Sequence, residues 1–213
     1  MRNGETRLIL SETGVKPFFC ILGVNYKFIP FFCAYINQKG YFCAKITHFM
    51  IKYDNIIGID PDSDKSGVAF LQPATRKLEV STLSFWQLHD YLVWVKEQEK
   101  KCGESVLVVV EHSNYTAHNW HIKGYNNKAV ASRMGYDVGR CHRTGELIEE
   151  MCENLALEHL KQPPLLKCWK GQDRKITHEE IVKITGLIAK RTNQEERDAI
   201  LLAWAVAGIP IKL

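Results

Sequence analysis

The 213-residue chain has a globular composition, 46% hydrophobic and 24% charged, which fits one domain or one domain with an appendage. Its net charge of +4 lies entirely within residues 1–49, so overall charge gives no indication of an anionic partner for the rest of the chain. Seven cysteines without a CxxC pair exclude a disulfide framework and a zinc module, and favour reduced thiols in a cytoplasmic protein.

Residues 1–49 differ sharply in composition from the residues that follow. They hold seven of the nine phenylalanines but no aspartate and no tryptophan. The apolar stretch 17–36 is interrupted by Asn25, Lys27 and Pro30, so it lacks the roughly 20 apolar residues of a membrane span. We therefore predict no membrane segment, a non-native or disordered extension over 1–49 with translation starting at Met50, and a folded domain over 50–213.

The first half of this domain is predicted to form three strands, a helix and a fourth strand. Alternating β-branched residues predict strands over 55–60, 66–72 and 77–83. The turns between them are short, so the three strands should form an antiparallel meander. A helical stripe over 84–101 has Ser84 as its N-cap. The continuous apolar run 105–111 is typical of a strand that is buried on both faces.

The second half alternates helices with one further strand. A polar loop over 112–127 precedes a helical region over roughly 128–160, and PPLLKCW at 163–169 predicts a fifth strand. A capping box predicts a helix over 177–186, and an apolar helix over 193–208 ends the domain. This order predicts an α/β fold with a central five-stranded mixed sheet, three antiparallel strands and then parallel additions, flanked by helices.

Two of the apolar strands end in an acid. Asp60 ends NIIGID and Glu111 ends SVLVVVE. In the predicted topology these strands are parallel neighbours, so their carboxylates should lie a few ångströms apart at one edge of the sheet. An ordinary turn residue is the alternative explanation for Asp60, and a solvent-facing strand end is the alternative for Glu111.

The last helix adds two more acids at its start. Glu195 and Asp198 are spaced i, i+3 and share one face. Glu195 also fits a capping box with Thr192, and Glu196 fits another with Asn193. Asp198, by contrast, directly precedes a buried apolar stretch where an unpaired acid is costly. Four converging carboxylates are the oxygen-only ligand set that Mg²⁺ or Mn²⁺ prefers, and two such ions about 4 Å apart form the clamp used in phosphodiester cleavage.

The motifs IGIDPDSDKSG, VLVVVEHS and QEERDAILLAWAVA together resemble the RuvC-like Holliday junction resolvases of the RNase H-like nuclease superfamily. The resemblance covers about 55–208 and implies an RNase H-like fold and a Mg²⁺-dependent endonuclease that cuts branched DNA. It implies that the metal ligands and catalytic residues are Asp60, Glu111, Glu195 and Asp198. It further implies that Asp60 bridges two ions and that the products carry 5′-phosphate and 3′-hydroxyl ends.

The sequence departs from the RuvC-like pattern in two places. Asp62 stands where the family usually has glycine, which bears little on chemistry. The loop after Glu111 also differs, and this affects the choice of substrate. RuvC-like enzymes act as two-fold dimers on four-way junctions, so the resemblance also implies a homodimer.

Two basic segments, 120–145 and 161–175, flank the predicted acids. The candidate DNA-binding residues are Trp120, Lys123, Lys128, Arg133, Lys170 and Lys175. Basic side chains suit phosphate contacts, and an exposed tryptophan suits stacking on unpaired nucleotides. Ordinary solvated faces, and a loop packed on its own domain, are the alternative explanations.

Other classes of function predict other sequence features. An inactive member of the fold that binds nucleic acid or acts as a scaffold remains the principal alternative. An actin-like ATPase or sugar kinase needs two such domains and glycine-rich phosphate loops, which this chain lacks. The DxDxD pattern that begins at Asp60 is not an EF-hand, because Lys65 and Leu71 stand where glycine and glutamate are required.

Overall fold

The structure is a computed structural model that describes residues 34–36, 42–44, 53–112, 127–186 and 191–211. The chain divides into two units, Met1–Phe31 and Phe32–Leu213, and the first lies entirely outside the described residues. The second unit begins with a short antiparallel pair, β1 (Ala34–Ile36) and β2 (Phe42–Ala44). The expected boundary near Met50 and the non-native origin of residues 1–49 therefore stay predictions.

Five strands form the central sheet. They are β3 (Asn55–Asp60), β4 (Ser66–Gln72), β5 (Lys77–Leu83), β6 (Val106–Glu111) and β7 (Glu158–Gln162). Their order across the sheet is β5-β4-β3-β6-β7. Strands β3, β4 and β5 pair antiparallel, whereas β6 and β7 are added in parallel. The predicted α/β fold is confirmed: it is a central five-stranded mixed sheet, three antiparallel strands and then parallel additions, flanked by helices.

In the described part of the chain, four α-helices accompany the sheet. They are α1 (Phe85–Cys102), α2 (Lys128–Asn154), α3 (His178–Thr185) and α4 (Gln194–Val206). The predicted N-cap Ser84 is confirmed, and so is the capping box of α3, in which Thr177 and Glu180 bond reciprocally. Within the described residues, no helix has the length and apolar character needed to cross a membrane.

Helices pack on both faces of the sheet. On one face, Ile57 and Val108 pack with Leu88 and Leu92 of α1 and Ile148 of α2. On the other face, the neighbouring strand residues Ile56 and Val109 pack with Leu202 and Trp204 of α4. Successive residues of a strand point to opposite faces, so the continuous apolar runs of β3 and β6 supply both cores.

The fifth strand and the helix before it differ from the prediction. The residues predicted to form this strand, 163–169, are irregular, and β7 lies earlier, at 158–162. Helix α2 accordingly ends at Asn154 instead of near residue 160. Pro163 and Pro164 lack the N–H group that a sheet ladder needs. As an edge strand, β7 is half solvated, so it lacks the apolar run that marks β3 and β6.

Helix α4 lies directly against the backbone of β3 and β4. A Cβ atom added at Gly58 of β3 would lie 2.2 Å from the carbonyl oxygen of Ala199. A Cβ atom at Gly67 of β4 would lie 2.1 Å from the carbonyl oxygen of Glu195. Both distances are far below van der Waals contact, so glycine at these two positions allows α4 to approach the end of the sheet where Asp60 lies.

We expect Gly58→Ala to destabilise the domain by about 1–3 kcal/mol or more, because the added methyl group overlaps backbone atoms that have little room to shift. The matched control is Gly135→Ala in α2, where nothing in the described part of the chain lies within 4 Å of an added Cβ. This control should raise stability by up to about 1 kcal/mol through helix propensity. Urea denaturation measures both, and equal midpoints for Gly58→Ala and wild type would contradict the close packing.

Candidate active site

Strands β3 and β6 bring Asp60 and Glu111 to the same edge of the sheet. Ile59 pairs with Val110 in the parallel register, and the next residue of each strand is the acid. Neighbouring strands lie about 4.8 Å apart, so the two acids start from adjacent backbone positions. Both are half-buried where their strands end.

The first turns of α4 bring Glu195 and Asp198 to this edge. Asp60 pairs with Gly67 across β3 and β4, and the backbone of Glu195 lies directly over Gly67. Asp198 is half-buried one turn later, and its Oδ1 accepts a hydrogen bond of 2.9 Å from Nε2 of Gln194. The four predicted acids therefore come from three elements and meet at one end of the sheet.

The cap of α4 is made by residues other than Glu195. The side chain of Asn193 accepts from the Glu196 N–H at 2.8 Å, and the Glu196 carboxylate accepts from the Asn193 N–H at 3.0 Å. The predicted capping box between Asn193 and Glu196 is therefore confirmed, and the alternative box between Thr192 and Glu195 is wrong. Thr82 of β5 donates to Glu196 at 3.1 Å, which ties the start of α4 to the sheet.

The acids interact electrostatically. Burial, and then the negative charges of Glu111, Asp198 and Glu195, raise the pKa of Asp60 well above its usual value. Burial and the charge of Asp198 raise the pKa of Glu111 to about 7. Burial also raises the pKa of Asp198, although the hydrogen bond from Gln194 opposes this. Like charges this close favour protonation, or a cation between them.

Two lysines partly offset this repulsion. Lys167 and Lys175, on the irregular segment between β7 and α3, lower the pKa of both Glu111 and Asp198. Lys175 is among the predicted DNA-binding residues, whereas Lys167 is not. The wrong strand assignment over 163–169 hid the position of Lys167, because the true path of this segment brings it back to the acids.

The donor chemistry of the four acids fits a hard divalent cation. All of the donors are carboxylate oxygens, the ligands that Mg²⁺ and Mn²⁺ prefer. Within residues 53–112, 127–186 and 191–211, there is no preformed metal site, meaning no group of three or more His, Cys, Asp or Glu side chains placed to hold one ion. Mutually repelling carboxylates tend to separate, so they would have to turn toward an ion to bind it.

Comparison with known proteins finds structural similarity at low sequence identity. No protein-family model and no curated protein matches the chain. Among solved structures, the chain is similar to Thermus thermophilus RuvC in complex with a Holliday junction substrate, at 15% identity and a TM-score of 0.40, covering 75% of this chain and 99% of that one. It is also similar to a Fowlpox virus resolvase in complex with Holliday junction DNA, at 12% identity and a TM-score of 0.34, covering 72% and 97%.

A small cavity beside Asp60 and Glu111 was not predicted. Its volume is about 30 Å³, roughly that of one water molecule, and α2 supplies part of its wall through Cys141, His142 and Gly145. Burial and the nearby His112 lower the pKa of His142. Helix α2 therefore forms a side of the candidate site, although its sequence shows only a helix.

The buried residue Glu149 contacts His112, the residue that follows Glu111. Glu149 of α2 is only 4% exposed, and its Oε1 lies 2.8 Å from Nδ1 of His112. Its Oε2 accepts a hydrogen bond of 2.6 Å from Nζ of Lys161 in β7. The burial of Glu149 could have been predicted from the sequence, because its spacing places it on the same helix face as the buried residues Gly145 and Cys152.

The predicted DNA-binding residues fall in three places. Trp120 and Lys123 lie outside the described residues. Lys128 and Arg133 are exposed on the first half of α2, where Arg133 pairs with Asp137 at 3.1 Å. Lys170 is exposed and Lys175 is half-buried between β7 and α3, with Lys175 beside the acids. A role in DNA binding stays a prediction for all six residues.

Proposed function

We propose that this chain is a metal-dependent endonuclease that cleaves phosphodiester bonds in branched DNA. The observation that carries the proposal is the meeting of Asp60, Glu111, Glu195 and Asp198 at one edge of an RNase H-like sheet. Buried acids that raise one another's pKa destabilise the fold, so a functional need for them is the simplest explanation. We further propose a homodimer, as the sequence resemblance implies, and a cytoplasmic location, as the cysteine pattern indicates.

The four carboxylates would hold two Mg²⁺ ions, with Mn²⁺ as a substitute. In this assignment Asp60, Glu111 and Asp198 would be the metal ligands, and Glu195 would orient the attacking water. The bound ions would supply positive charge that stabilises the phosphate during in-line displacement. Gln194 holds Asp198 in place through its 2.9 Å hydrogen bond.

The lysines beside the acids would meet the phosphate backbone of the DNA. Lys167 and Lys175 already act on Glu111 and Asp198 electrostatically, so a phosphodiester bound at the acids would lie close to both ammonium groups. Such contacts position DNA without reading its sequence. Lys128 and Arg133 on α2 would extend the contact, and Trp120 would stack on a nucleotide opened at the branch point.

An inactive nucleic-acid-binding or scaffold protein of the same fold is the second candidate. The observation in its favour is that the acids among the described residues do not form a preformed metal site of three or more ligands. Titration with Mn²⁺, followed by calorimetry, separates the candidates. Saturable binding that Asp60→Asn removes supports the nuclease, and no binding by wild type supports the scaffold.

The substrate is tested by a cleavage assay in Mg²⁺ with four substrates. These are a four-way junction, a flap, a linear duplex and an RNA–DNA hybrid. We expect the junction to be cut at least about tenfold faster than the duplex, because two sites of a dimer match the symmetry of the junction. Equal cutting of junction and duplex would contradict branch selectivity, and a preference for the hybrid would indicate a ribonuclease.

A further inference from the structure

A second concavity lies next to the acids, on the other side of Gln194. This groove has a volume of about 500 Å³, within the range of about 300–1,000 Å³ that is typical of small-ligand sites. Its walls come from residues 171–173 and 175–179, from Arg191 and from the start of α4. Gln194 lines the groove and donates to Asp198 at 2.9 Å, so the groove adjoins the proposed site of cleavage.

Arg197 of α4 braces the walls of the groove. Its Nε donates to the carbonyl of Ile176 at 2.9 Å, and a second guanidinium nitrogen donates to the carbonyl of Thr192. The third nitrogen donates to Oε1 of Gln194 at 2.9 Å. The groove is therefore pre-formed, which lowers the cost of ordering it around a ligand.

A tight loop shapes the rim of the groove. Asp173 and Arg174 both have positive φ angles, 53° and 58°, which non-glycine residues rarely adopt. A Cβ atom at Gly171 would lie 2.4 Å from the carbonyl oxygen of Lys175, so the loop closes on a glycine. Strain of this kind persists where the surrounding structure enforces it, and it is common at ligand sites. It places Asp173 on the groove.

The groove offers both hydrogen-bond donors and acceptors. Arg191 and Lys175 are cationic donors, whereas Asp173 and Glu179 are exposed carboxylate acceptors. Arg197 uses its guanidinium on the walls, so two cations and two carboxylates remain in the lining, and this balance of charge does not favour a phosphate group. The edge of a nucleobase, which carries donors and acceptors together, fits this mixture.

We propose that the groove binds an unpaired guanine base next to the cleaved phosphodiester. Guanine presents O6 and N7 to an arginine and an exocyclic amine to a carboxylate, so it matches Arg191 with Asp173 or Glu179. Lys175, which faces both the groove and the acids, would contact the phosphate between this base and the cleavage point. The assignment rests on the proposed function, which it deepens by naming a determinant of sequence preference.

Binding of short DNA tests the groove without any cleavage. The probes are four single-stranded trinucleotides with thymidine at both ends and a different central base, added to the isotope-labelled full chain in EDTA. We expect the guanine probe to bind at least about fivefold more tightly than the other three and to shift the amide signals of Thr177, His178 and Gln194. Equal affinities, a preference for another base, or shifts confined to other regions would overturn the assignment.

Variants make the same test specific to the groove. Arg191→Ala should abolish the guanine preference, and so should the double variant Asp173→Asn with Glu179→Gln, in which asparagine tolerates the positive φ of position 173. The control Lys100→Ala removes an exposed cation from the last turn of α1 and should retain it. Guanine preference that survives in either groove variant would overturn the proposal. Because the measurement needs no catalysis, its outcome is separate from that of the cleavage assay in Mg²⁺.

Discussion

Asp60→Asn and Asp198→Asn are each expected to lower the rate of DNA cleavage in Mg²⁺ by at least about a hundredfold, while the affinity for branched DNA stays within about threefold of wild type. Each substitution keeps the size of the side chain but removes a negative charge where the four acids meet. The proposed metal sites lose a ligand, whereas the basic residues that would hold DNA remain. Single-turnover cleavage of a labelled four-way junction, with a gel-shift assay in Ca²⁺, measures both quantities.

The matched control for these variants is Asp64→Asn. Asp64 lies four residues after Asp60 in the same turn, but its side chain is 84% exposed and pairs only loosely with Arg140 at 3.4 Å. Its amide variant should cut at nearly the wild-type rate. Full activity in Asp60→Asn or Asp198→Asn would remove that residue from the mechanism. Loss of DNA binding together with cleavage would point to a folding defect, which circular dichroism would reveal.

The metal-free protein is expected to lose stability as the pH rises from about 4.5 to about 7. Burial raises the pKa of Glu111 from 4.5 to about 7, so the folded chain binds this proton more tightly than the unfolded chain. The contribution of Glu111 to the free energy of unfolding is therefore fully present below pH 4.5. It is lost as the pH rises to the pKa of Glu111 in the folded chain. At about 1.4 kcal/mol per pKa unit, the loss approaches about 3 kcal/mol, and Asp60 and Asp198 add to it in the same direction.

The variant Glu111→Gln measures the contribution of Glu111 to this loss of stability. In EDTA at pH 8 the variant should be more stable than wild type by up to about 3 kcal/mol, and the difference should vanish near pH 4.5. Adding Mg²⁺ should stabilise wild type at pH 8 but not at pH 5, because a cation competes with protons for the carboxylates. Urea melts at both pH values measure this. A wild-type stability that is unchanged by Glu111→Gln at pH 8 would contradict the repulsion among the acids.

The sequence predicted the parts of the fold whose local signals agree with their tertiary surroundings. The strands β3 and β6 are continuous apolar runs because they lie at the centre of the sheet, and α3 carries its own start and stop signals in Thr177, Glu180 and Gly186. The fifth strand was misplaced for the opposite reason. An edge strand such as β7 needs little apolar surface, so the nearby run PPLLKCW gave the stronger but misleading signal.

The candidate site was predictable only where strand or helix ends supply its residues. Asp60, Glu111 and Asp198 each adjoin an apolar run. A topology that determines where these runs lie in the fold therefore also determines where the acids lie. Lys167 and His142 reach the site through tertiary packing, which no local pattern encodes. The same holds for the groove, whose walls depend on the hydrogen bonds of Arg197 to two separate segments.

The most direct test of a metal-dependent nuclease is the chemistry of the cut ends. The full chain is incubated with a four-way junction in Mg²⁺, and the nicked products are treated with DNA ligase. We predict paired nicks that ligase reseals, because in-line attack leaves 5′-phosphate and 3′-hydroxyl ends. We also predict that EDTA abolishes them. No cleavage in either Mg²⁺ or Mn²⁺, or cleavage that continues in EDTA, would contradict the account.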